Sequence, residues 1–85
     1  MGRKSVTNTD YNLEVGQRIM NLRRSQSPKM SRQRLAETLG YSEGNTVFYW
    51  ENGRSPVPAD VIVKIASLFN VNVDYLLGDD PDETD

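Results

Sequence analysis

The side chains of this chain that could do chemistry are arginines and amides. Its 85 residues include no cysteine and no histidine. That removes disulfides, thiolate metal sites, the commonest general base and the commonest metal ligand. The twelve acidic residues show no clear pairing, and no Gly-rich phosphate loop or metal-ligand spacing occurs, so neither an enzyme nor a cofactor is expected. What stands out is a bracket. Arg32, Gln33 and Arg34 precede, and Arg54 follows, a stretch from Leu35 to Gly53 with no Lys or Arg. An arginine fork suits carboxylates and phosphates. Asn45, inside the bracket, carries an amide that can pair bidentately with an adenine edge.

Two short helices must position these groups. Ser31 can cap the first, which spans about Arg32 to Leu39, with Leu35, Ala36 and Leu39 as its apolar stripe. Gly40 follows where a helix end tolerates positive φ. Ser42 or Asn45 can cap the second, Asn45 to Glu51, and Asn52-Gly53 stops it. At helical spacing Val47, Trp50 and Glu51 share the inward face. Asn45, Tyr49 and Asn52 point outward, with Thr46 and Phe48 on the flanks.

Three further helices complete an all-α reading. The first runs from about Tyr11 to Ser25 on Val15, Ile19 and Leu22, and a loop with Pro28 follows. The fourth starts near Pro58, buries Val61, Ile62, Ile65, Leu68 and Phe69, and is closed by Asn70. The fifth is Val73 to Leu77. Residues 1–10 read as a polar arm: either a loose terminus, or, through Arg3 and Lys4, a basic arm for DNA. Residues 11–78 form one domain, and 79–85 an acidic tail or linker. Net charge is −2, but five acids lie in that tail, and residues 1–78 carry +3. No apolar run approaches a membrane span, and a cytoplasmic location is expected.

The run Leu35-Ala36-Glu37-Thr38-Leu39-Gly40-Tyr41-Ser42, then Val47, then Trp50-Glu51-Asn52-Gly53, resembles the phage repressor and Cro-like helix-turn-helix family of bacterial transcription regulators. Gly16 to Arg24 and Val71 to Gly78 are similar to that family as well, so the resemblance covers about residues 13 to 78. It implies a five-helix DNA-binding domain that regulates transcription, in the first instance as a repressor. Helix 3 would read the major groove of a double-stranded operator, with a homodimer spanning two half-sites. The alternative is an antitoxin or antirepressor-type module that chiefly binds a partner protein.

The resemblance also assigns residues. Arg23 and Glu51 fall where the family has an ion pair between helices 1 and 3. Arg54 falls at a phosphate-contacting position. Arg32 stands where the family usually has a phosphate-contacting Gln, and here the Gln is Gln33, so Arg32, Gln33 and Arg34 are all candidates for that contact. Tyr75, Leu76 and Leu77 are the expected dimer contact. Two departures stand out. The loop at Ser25 to Lys29 is longer than usual, and Gly40 to Trp50 is one residue longer, which either lengthens the turn or extends helix 3.

For base readout Asn45 leads, with Thr46 and Tyr49 beside it. Phe48 and Tyr49 either pack against the domain or touch thymine methyl groups. Glu43 either favours the positive end of helix 3 or accepts from cytosine. The lack of an exposed Arg on helix 3 favours an A·T-rich half-site.

Overall fold

Five α-helices follow one another among the described residues: α1 (Asn8–Arg24), α2 (Arg32–Thr38), α3 (Asn45–Glu51), α4 (Ala59–Phe69) and α5 (Val73–Leu77). The computed structural model describes residues 8–78. The acidic tail 79–85 and most of the polar arm, with Arg3 and Lys4, lie outside the described residues. The arm is shorter than its sequence suggests, because α1 begins at Asn8.

The inward faces meet in one core. α1 contributes Val15 and Ile19, α2 contributes Leu35 and Ala36 with Leu39 at its end, and α3 contributes Val47 and Trp50. α4 adds Val61, Ile62, Ile65 and Ala66, and α5 adds Leu76. Tyr41, in the turn, meets the Trp50 ring edge-on with centroids 5.4 Å apart. Leu68, expected in the stripe of α4, is exposed instead. The buried arc of α4 runs from Val61 through Ile65, Phe69 and Ile62 to Ala66, and Leu68 lies just past its Val61 edge.

Local signals fix most helix ends. The Ser31 hydroxyl accepts from the Arg34 backbone N–H at 3.0 Å and caps α2. Gly40 has φ 94°, and Asn70 closes α4 in the left-handed region at φ 58°. Pro58 stands just ahead of α4, at its cap position. The start of α3 differs from expectation. Neither Ser42 nor Asn45 caps it; Gly44 occupies that position with helical φ and ψ and no side chain to offer.

α1 and α3 pack closely. Gly16 makes that possible: a Cβ there would run into the Trp50 carbonyl oxygen and come within 2.8 Å of Glu51 Cα. At the end of α3, Gly53 takes φ 72° with its Cα side against the Leu13 backbone. The Arg54 N–H then reaches back to the Tyr49 carbonyl at 2.9 Å.

Candidate nucleic-acid interface

The interface is built from α2, the turn Tyr41–Gly44, and α3. The extra residue lengthens the turn and adds nothing to α3, which starts at Asn45. One side chain closes this longer turn. Gln33 Oε1 accepts from the Gly44 N–H at 2.9 Å, and its Nε2 donates to the Ser42 carbonyl at 3.1 Å and to Glu37 at 2.9 Å. Both amide hydrogens of Gln33 are therefore engaged inside the chain, although the sequence suggested a phosphate contact. The Gly44 backbone approaches closely: a Cβ there would lie 3.1 Å from Gln33 Cα, tighter than ordinary van der Waals contact.

Beneath α3 lies a charged clasp. Glu51 is 1% exposed, and Arg23 holds it through Nε to Oε2 at 2.7 Å and Nη2 to Oε1 at 3.0 Å. Arg23 also donates to the Met30 carbonyl at 2.9 Å, tying the loop after α1 to the same group. Arg32 makes a second ion pair, Nε to Oε1 at 2.8 Å. Its guanidinium carbon lies 5.2 Å from the Phe48 ring centroid. Only one of the five N–H groups of Arg32 is used on Glu51, which leaves the rest of the fork for another acceptor.

Arg32, Gln33, Glu43, Gly44, Asn45 and Phe48 line one open notch of about 410 Å³ at the start of α3. Asn45, Glu43, Phe48 and Tyr49 are exposed, and Thr46 is half-buried. Arg34 faces elsewhere: it borders a separate depression beside the Gln26–Ser31 loop. Arg54 is exposed at the opposite end of α3. The arginines expected to contact phosphate thus fall at three separate places, with only Arg32 and Arg54 at the ends of α3.

The expected dimer contact does not survive as one patch. Leu76 is fully buried between α1 and α4, and is core. Tyr75 borders a depression along α1 with Leu13 and Arg18, whereas Leu77 lines an apolar groove with Tyr11, Pro56 and Val57. Consecutive helical residues are separated by about 100°, so three in a row cannot share a face.

Sequence reasoning missed the Gln33 brace, the Arg32–Glu51 pair and the Gly16 approach. A partial signal existed for Gln33, which stands four residues before Glu37 and bonds to it. Among the described residues, no group of His, Cys, Asp or Glu gathers to hold a metal ion, and no helix is long and apolar enough to cross a membrane.

A family model described as helix-turn-helix matches residues 19–76. A curated relative, described as the uncharacterized HTH-type transcriptional regulator YobD of Bacillus subtilis (strain 168), is 38% identical over 68 residues. That match covers 78% of this chain and 58% of the relative, so the chain spans little more than half the length of the protein it resembles. No solved structure matches significantly. With its two short helices joined by the Tyr41–Gly44 turn, and the family match spanning that segment, the chain belongs to the phage repressor and Cro-like helix-turn-helix family of transcription regulators.

Proposed function

We infer that this chain is a sequence-specific, double-stranded DNA-binding transcription regulator acting as a repressor, with α3 as its major-groove reader. One observation carries the reading. α3 presents Asn45, Phe48 and Tyr49 to solvent, offers no Lys or Arg of its own, and has Arg32 in the notch at its start and exposed Arg54 just past its end. That is the division expected when phosphate contacts set position and base contacts set sequence. Asn45, with Thr46, Tyr49, Phe48 and Glu43 around it, is the base-reading set. Arg32, Arg34 and Arg54 are the phosphate set, and Gln33 serves them by holding the turn.

Two copies would read two half-sites about 34 Å apart. Leu77, with the Tyr11, Pro56 and Val57 groove, is the best remaining apolar contact for that dimer. The experiment is selection of bound duplexes from a random pool, followed by footprinting. A repeated half-site, with affinity that falls steeply as salt rises, is the expected outcome. Weak, sequence-blind retention would refute it. The partner-binding alternative draws on Val63 and Leu68, two apolar side chains exposed on α4. A tight stoichiometric complex with a second protein, combined with no selected DNA site, would favour it.

A further inference from the structure

Phe48 is an apolar ring on the outer side of α3, 37% exposed, and two contacts hold it there. The Arg32 guanidinium lies 5.2 Å from its centroid, within cation–π range. The Tyr49 ring meets it at 5.7 Å and 66°. A surface phenylalanine with no neighbours spreads over several rotamers. One clasped on two sides is already ordered, and gives up less entropy when it docks.

Arg32 is itself positioned from below. Its Nε donates to Glu51, and Glu51 is buried and fixed by Arg23. A line of contacts therefore runs from a buried carboxylate, through Arg32, to a ring on the reading face. The notch beside the ring restricts what that ring can meet. Glu43 borders it together with Arg32 and Asn45, so a phosphate drawn to the arginine there would also meet a carboxylate that repels it. An uncharged apolar group carries no such penalty, and the 5-methyl of thymine is the apolar group that base pairs present in the major groove.

We propose that Phe48 reads a thymine 5-methyl group and that Arg32 is the positioning residue that fixes its ring. This rests on α3 entering the major groove, as inferred above. It names an apolar determinant of specificity that acts beside the amide of Asn45.

The test uses the selected site with each thymine replaced in turn by deoxyuridine, which removes only the methyl group. Equilibrium binding of the wild-type chain should weaken about fourfold at one thymine per half-site, the worth of one buried methyl group. Phe48→Ala, a change at an exposed position, should bind the thymine and uracil duplexes equally at that step. Arg32→Lys keeps the charge, so its salt dependence should match the wild type while most of the thymine preference disappears. Arg32→Ala should lose that preference too. If no single methyl group matters to the wild type, or if Phe48→Ala still separates the two duplexes, Phe48 is not the reader. If both Arg32 variants keep the full preference, Arg32 does not position it. If the wild type selects no site from the random pool, the regulator reading itself falls, and this inference with it.

Discussion

Arg23 grips Glu51 through two bonds, Nε to Oε2 at 2.7 Å and Nη2 to Oε1 at 3.0 Å, with side-chain exposures of 9% and 1%. Arg32 shares the same carboxylate from a side chain that is 39% exposed. The two arginines therefore differ in what their removal leaves behind. Arg23→Ala or Glu51→Ala strands a buried charge and should cost roughly 3–5 kcal/mol. Arg32→Ala leaves Glu51 paired, and should cost under about 1 kcal/mol, as for an exposed pair. Denaturant unfolding of the three variants checks this. Equal losses would mean that the two arginines share Glu51 evenly.

Gly16 is the second point of leverage. Ala is a better helix former than Gly by about 1 kcal/mol, so propensity alone predicts that Gly16→Ala stabilises. The structure predicts the reverse, because the new methyl would meet the Trp50 carbonyl and the Glu51 backbone. Helix backbones yield less easily than side chains, and a net loss of about 2 kcal/mol or more is expected. A melting temperature at or above that of the wild type would show that α1 and α3 can separate without penalty.

Gln33 separates bracing from phosphate contact. Gln33→Ala removes the acceptor for the Gly44 N–H and the donor to the Ser42 carbonyl. A loss of about 1 kcal/mol of stability is expected, the net worth of one or two exposed hydrogen bonds. Binding to the preferred site should weaken more than binding to random DNA, because the reading helix loses its placement. Equal weakening on both would mark Gln33 as a phosphate ligand.

Grip and readout should also come apart by mutation. Arg34→Ala and Arg54→Ala should weaken binding to all duplexes alike and flatten the plot of log affinity against log salt by about one unit each. Asn45→Ala should cost roughly 1–3 kcal/mol on the preferred site and little on random DNA. Titrations at several salt concentrations provide both readouts. An unchanged specificity ratio for Asn45→Ala would move the reading role to Glu43, Thr46 or Tyr49.

The helices were legible where their causes are local. The C-terminal ends of α3 and α5 match the sequence reading, and Gly53 and Gly78 take positive φ just past them. Inward residues of α1 and α2 followed from spacing alone, as at Val15, Ile19, Leu35 and Ala36. Errors arose where a decision depends on distant partners. The hydrophobicity of Leu76 and Leu68 is the same whether they face the core or solvent, and only the packing of α4 and α5 decides between them. An amide such as Gln33 carries no sequence mark of which backbone groups it will choose. The Arg32–Glu51 pair went unread because nothing local ties Arg32 to a carboxylate nineteen residues away.

The two ends of α3 are held by different means. At its C-terminal end, Gly16 lies against the helix backbone, Gln17 donates to the Glu51 carbonyl at 3.1 Å, and Gly53 packs on Leu13. At its N-terminal end, the Gln33 amide joins α2 to Gly44 across solvent-exposed hydrogen bonds. Backbone openings begin where few buried contacts oppose them. Amide hydrogens near Gly44 should therefore exchange with solvent long before those near Trp50. The start of α3, with Asn45, is thus the looser end, and Val47 and Glu51 hold the rest of the helix to the core.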